Sequence, residues 1–263
     1  MDFAEREMLE QTLRKTMTES RGTELDAALA ELGWAEMLAG EPETAIESVF
    51  RLLGETGAHA SVLNDVILCQ AGRSDDGATP PLPYAGGQWV VWTRGPDSPG
   101  LSLDPGLPLR QVAPGSPVPL SDGRRALGWW LLGSGRAMLA LARRHVLDRH
   151  QFGRPLASFQ ALRHRLAETY VALEGAEAAL RAASFDDTGA LLAKAAAGRA
   201  ALAAARHCQQ ALGGIGFTAE HDLHLHVKRA LVLDGLLGSA RELTREAGTL
   251  LIREGRAPRL VDL

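Results

Sequence analysis

Between Leu191 and Leu212 the chain reads LLAKAAAGRAALAAARHCQQAL. Alanine is the strongest helix former and carries almost no side chain, so this run predicts a long helix packed closely against its neighbours. Gly213-Gly214 follows at once, where a helix end that needs a positive φ places glycine. Backbone without side chains can also approach a ligand closely at such a point. Gln210, one turn earlier, offers an amide donor and acceptor. These residues alone fit two readings equally, a glycine cap beside a solvated glutamine or a ligand-binding loop. A second stretch, Arg149 to Gln160 (RHQFGRPLASFQ), tips the balance toward the ligand.

Helical periodicity flanks both stretches. Leu127, Trp130, Leu131, Met138, Leu141, Ala142 and Val146 outline a helix ending near Arg149. Ser158 is placed to cap a second, whose stripe is Phe159, Leu162, Leu166, Tyr170, Leu173 and Leu180. The alanine run is the third. A fourth begins near Asp222 and continues through Val227, Leu231, Leu236 and Leu243 to about Ile252, with Gly235 or Gly238 as the point where it would break. Four long helices in sequence predict a bundle over residues 122–263.

Upstream, residues 1–71 predict a small helical unit. Met8, Leu9, Leu13 and Met17 recur at helical spacing, Leu25, Leu29 and Leu32 follow Thr23, and Pro42 opens a helix carrying Ile46, Val49 and Leu53. Composition shifts at Ala71. Residues 72–121 crowd prolines and glycines around short strand-like runs at Gln88–Trp92, Leu101–Leu103 and Leu109–Ala113, which predicts a curtailed β segment. The expected fold is therefore mainly α, with helical unit, short β segment and C-terminal bundle in that order.

Several function classes are set aside by composition. A net charge of -4 without a Lys/Arg run gives no electrostatic case for nucleic acid. With 46% hydrophobic and 23% charged residues, and no apolar run of spanning length, the chain reads as an ordinary globular protein not inserted in a membrane. Asp2 and Glu5 at the start do not suit a signal peptide, so a cytoplasmic location is expected. Two cysteines make no disulfide framework, and Cys208 in the alanine run reads as buried filler rather than a reactive thiol. His221, His224 and His226 are not four residues apart in any pairing, so no metal site is expected there.

Taken together, Arg149-x-Gln-Phe-Gly-x-Pro-Leu-x-x-Phe-Gln, His164-x-Leu-Ala-Glu168 and Gln210-x-x-Gly-Gly-Ile-Gly-Phe-Thr resemble the C-terminal helical domain of the acyl-CoA dehydrogenase family. The resemblance runs through residues 122–253. It implies an FAD enzyme that removes two hydrogens across Cα–Cβ of an acyl-CoA thioester and passes the electrons to an electron-transfer acceptor. It implies further that this domain completes an FAD site held mainly by a neighbouring subunit. Arg149 would pair with the pyrophosphate, Gln151 and Phe152 would lie along the cofactor, and Gln210, Gly213 and Gly214 would meet its adenosine–pyrophosphate end.

The same resemblance exposes a gap. The chemistry needs a carboxylate base near the thioester α-carbon. The family's Glu-Gly-Thr position reads Leu237-Gly238-Ser239 here, and the alternative position at the start of the bundle's first helix is Gly123. Asp234, a turn before Leu237, is the only nearby stand-in and has a shorter arm. The β segment is also shorter than the family's middle domain. The expectation is a truncated subunit without a base, completing an α2β2 acyl-CoA dehydrogenase with a full-length, Glu-bearing partner and acting on an acyl-CoA, such as a sterol side-chain thioester. The alternative is a catalytically silent scaffold or binding protein that keeps the bundle without using flavin.

Overall fold

The computed structural model describes residues 3–73, 77–94, 103–183 and 187–255. Helix α6, Ser121–Asp148, is the axis on which the other parts are hung. On one side it crosses α4 (Pro42–Thr56) so closely that the two backbones touch. A Cβ on Gly54 would strike the Trp130 carbonyl, and one on Gly133 would strike that of Arg51. Glycine is required at both points because the contact is backbone on backbone. On its other face Gly128 and Gly135 receive the side chains of Leu180 and Leu173.

The N-terminal unit consists of α1 (Phe3–Glu19), α2 (Thr23–Glu31), α3 (Trp34–Gly40), α4 and α5 (Leu63–Gln70). Helix α3 follows directly on α2. Gly33, at φ 80, turns the chain and starts a new helix whose Trp34 and Leu38 are buried. Pro42 occupies the first turn of α4 as expected.

The β segment is a three-stranded antiparallel sheet in chain order, β1 (Leu82–Tyr84), β2 (Gln88–Trp92) and β3 (Leu109–Gln111). Leu82 pairs with Val90, and Trp92 with Leu109. β1 was not anticipated, since three residues with a central proline carry no alternation to read. Of the Leu101–Leu103 run, residues 101 and 102 lie outside the described residues and Leu103 is in a loop. Trp92 stacks on Trp130 of α6 at 5.7 Å between ring centroids, and Phe50 of α4 meets the same indole edge-on at 5.7 Å. One continuous core thus runs from Leu13 through Trp92 to Leu237.

The C-terminal part contains α6, α7 (Gln160–Ala182), α8 (Asp187–Leu212), α9 (Leu223–Gly235) and α10 (Ala240–Glu254). Most alanines of α8 are buried, as close packing demands. One expectation needs correction. Ser158 does not cap α7, because its hydroxyl is turned back to donate to the Pro155 carbonyl at 2.8 Å, and Phe159 takes the cap position. The fourth helix breaks after Gly235, one of the two points at which a break was expected. Leu236 to Ser239 interrupt it, and Ser239 with Glu242 forms a reciprocal capping box that starts α10.

Candidate functional site

Arg149, Gln151, Gln210, Gly213 and Gly214 converge on one surface cavity of about 500 Å³, which His145 and Ile215 also line. Arg149 is the residue that ends α6. Its backbone is extended, its N–H still donates to the His145 carbonyl at 2.9 Å, and its own carbonyl accepts from Leu156 at 2.8 Å. Between these bonds the chain makes a hairpin, β4 (His150–Gln151) against β5 (Arg154–Pro155). Its tip is Phe152 at φ 56 and Gly153 at φ 75, the paired positive angles of a tight hairpin turn.

That turn carries Phe152 away from the cavity. Its ring is 86% exposed. It meets Phe159 edge-on at 6.1 Å, and the Arg154 guanidinium covers the other ring at 4.2 Å. Phe152 is therefore presented outward while the other five residues face a common space.

The opposite wall is the end of α8. Gly213 has φ 65 and opens a 3-10 turn, Gly213–Phe217. A Cβ on Gly213 or Gly214 would meet nothing within 4 Å, whereas one on Gly216 would lie 2.7 Å from the Gln209 carbonyl. Gly216 serves packing, and the preceding pair leaves bare backbone facing open space. No carboxylate pairs with Arg149 among the described residues. An unpaired guanidinium beside bare glycine backbone and two amides suits an anionic group such as a pyrophosphate.

A second cluster holds the two positions at which a base was sought. Gly123 is buried on the first turn of α6, and Leu237 is 1% exposed. A Cβ on Gly123 would lie 2.9 Å from Leu237 Cδ1 and closer still to Ile67 of α5. Leu237 is held there by backbone. Its N–H donates to the Pro83 carbonyl at 2.8 Å, Leu236 bridges to Tyr84, and Arg124 Nε reaches the Leu237 carbonyl at 3.4 Å. The slot is apolar and filled.

Asp234 points elsewhere. Its Oδ1 accepts from Ala240 N–H at 3.1 Å and stands over Gly198 of α8. Burial raises its carboxyl above the ordinary range, and the charge of Lys194 opposes that rise. Lys194 is wholly buried, and its ammonium donates to the Asp234 carbonyl at 3.0 Å and the Gly238 carbonyl at 2.6 Å. Burial pushes its pKa down to about 7. Asp234 and Lys194 thus fasten the α9–α10 turn to α8.

The remaining candidates are structural. Burial, aided by Arg229, brings His226 down to about 4, and the Cys208 thiol is pushed up to about 12 by burial alone. A thiol so protonated is inert. No group of three metal-ligating side chains exists among the described residues, and no helix there is long and apolar enough to cross a membrane.

Residues 118–246 match the family described as acyl-CoA dehydrogenase, C-terminal domain. These residues belong to the acyl-CoA dehydrogenase family. Acyl-CoA dehydrogenase IpdE2 of Mycobacterium tuberculosis is 36% identical over 168 residues, covering 60% of this chain and 53% of that protein. Acyl-CoA dehydrogenase FadE34 of the same organism is 36% identical over 203 residues, 68% of this chain and 28% of that protein. The chain therefore spans about half the length of IpdE2 and less of FadE34.

Solved structures agree in fold. The Tcur3481-Tcur3483 steroid ACAD superposes with a TM-score of 0.73 at 20% identity, over 96% of this chain and 99% of that one. The ChsE4-ChsE5 complex from Mycobacterium tuberculosis gives 0.68 at 17% identity, over 98% of this chain and 99% of that one.

Two groups near the candidate sites carry little or no signal in the sequence. Lys194 carried one signal, a lysine set among the alanines of α8. His145 carried none beyond standing four residues before Arg149.

Proposed function

We propose that this chain is a subunit of a flavin-dependent acyl-CoA dehydrogenase heteromer, completing the adenosine–pyrophosphate end of an FAD site while a partner subunit supplies the catalytic Glu. The observation that carries the reading is an asymmetry. The cavity lined by Arg149, Gln210 and Gly213 is open, and the slot between Gly123 and Leu237 is filled by leucine and isoleucine. The first suits a cofactor anion. The second leaves no carboxylate where the resemblance would put one.

FAD, when bound, accepts the electrons and hydrogen removed from the Cα–Cβ bond of an acyl-CoA thioester. The task of this chain is to hold and orient. Arg149 presents a permanently charged planar fork to phosphate oxygens, a charge-assisted contact of about 1.5–3 kcal/mol. Gln151 and Gln210 offer amide donors and acceptors, and the Gly213-Gly214 backbone permits close approach. Leu237 and Ile67 keep water and substrate out of the Gly123 slot. The base, the substrate pocket and contact with an electron-transfer acceptor fall to the assembled complex. Likeness in fold to a protein described as a steroid ACAD supports a sterol-derived acyl-CoA as substrate.

Co-expression with an acyl-CoA dehydrogenase-like partner that bears the Glu tests the reading. The purified complex should be yellow, with a flavin absorption band, and should reduce a dye with a sterol-type acyl-CoA. A stable complex lacking flavin would favour the silent scaffold instead.

A further inference from the structure

Beside the Arg149 cavity lies a second one of about 330 Å³, lined by Leu141, Arg144, His145, Asp148, Arg149 and His221. His145 and Arg149 line both. Arg149 follows the end of α6, and its N–H donates to the His145 carbonyl at 2.9 Å, which keeps the two residues one turn apart. His221 comes from the turn before α9, and its Nδ1 accepts the Leu223 N–H at 3.1 Å. That bond fixes the orientation of the ring. We propose that His145 and His221 extend the Arg149 site into a proton-linked anion subsite, in which His145 takes up a proton when the pyrophosphate of the flavin binds. The proposal rests on the flavin reading above and adds its regulation by pH.

The electrostatics agree with the geometry. His145 titrates below the ordinary histidine range, through burial first and then through its neighbours His221 and Arg149, with Asp148 opposing. The charged and titratable groups facing it are Arg144 and Asp148 of its own helix, Arg149 just beyond the end of that helix and His221 across the gap. From α7 and α8 come Leu162 and Gln210, which do not titrate. Cationic groups thus outnumber the single carboxylate. Without an anion they hold His145 neutral near pH 7. A pyrophosphate beside Arg149 reverses that field and favours imidazolium, so anion affinity increases as pH falls. Each unit by which binding raises the His145 pKa corresponds to about tenfold in affinity between the two protonation states.

The test uses the full chain and ADP-ribose, whose pyrophosphate diester does not titrate between pH 5.5 and 8. Calorimetry across that range should show affinity rising about three- to tenfold toward low pH, with proton uptake. The NMR titration of the His145 ring should move upward on saturation. H145Q should flatten the pH dependence, H221A should weaken binding at every pH, and R149A should weaken it most. Binding that R149A weakens but that is flat with pH in the wild type overturns the proton linkage and leaves the flavin site standing. A pH dependence that survives H145Q overturns the assignment to His145. Absence of ADP-ribose binding at both ends of the range, by the chain and by its flavin-free complex, overturns the flavin reading and the subsite together.

Discussion

Leu237 lies directly over Gly123, with its Cδ1 2.9 Å from where a Cβ on that glycine would stand. The contact joins the α9–α10 turn to the first turn of α6, with Ile67 of α5 closing the third side. Both positions at which this family's resemblance calls for a carboxylate are thereby consumed in one apolar contact.

Gly123→Ala should overpack this slot and destabilise the chain by about 1–3 kcal/mol. Adding Leu237→Ala should recover part of the loss, because each change then makes room for the other. A double-mutant cycle by urea denaturation should give a coupling of about 0.5–3 kcal/mol. Additive effects would show that the two residues do not share a slot.

Arg149→Ala and Gln210→Ala should weaken flavin retention in the complex while helical content by circular dichroism stays unchanged. The Arg149 side chain is exposed and pairs with no carboxylate among the described residues, so its loss leaves no buried charge behind. Losing a charge-assisted bond of about 1.5–3 kcal/mol corresponds to roughly one to two decades in affinity. Equal flavin content in wild type and both variants would remove these residues from the cofactor site.

Lys194 makes stability depend on pH. Its folded pKa of about 7 is depressed from 10.5, so the unfolded chain binds more protons between those values. Stability is therefore full above the unfolded value and is lost as pH falls toward 7, by about 1.4 kcal/mol per pH unit at most. Lys194→Met should flatten the rise in Tm between pH 7.5 and 9.5 that the wild type shows. It should not unfold the protein, since replacing a buried ion by an apolar side chain of similar volume is often neutral or stabilising. A wild-type Tm that falls across this range would contradict the assignment.

The sequence carried the long helices because their stripes repeat every three to four residues, and it carried the cavity only through its likeness to a known motif. Arg149 and Gln210 belong to different helices, and no local pattern places them together. The break in the fourth helix was foreshadowed by Gly235 and Gly238. Its cause is remote, since the Leu237 N–H pairs with Pro83 in a strand too short to predict. Ser158 had the right chemistry for a cap and lost to the adjoining turn, where the Pro155 carbonyl accepts from its hydroxyl. Gly213 and Gly216 look equivalent in sequence. Only the fold distinguishes the one facing open space from the one pressed on Gln209.

Asp234→Asn in this chain should leave turnover of the complex near wild type. The carboxylate accepts from Ala240 at the start of α10 and stands over Gly198, and asparagine keeps an oxygen that can make the same bond. Its charge bears on Lys194, so the variant should lower the lysine pKa further and shift the stability profile without touching the chemistry. Removing the partner's Glu should instead cost two to four decades, about the contribution of general-base catalysis. Geometry sets the contrast, because a base misplaced by an ångström loses much of its effect and Asp234 is tied to the far side of the turn. Dye reduction with a panel of acyl-CoAs, measured for both variants and for this chain alone, decides it. A flavin-loaded homomer that turns over acyl-CoA and is silenced by Asp234→Asn would overthrow the division of labour between subunits.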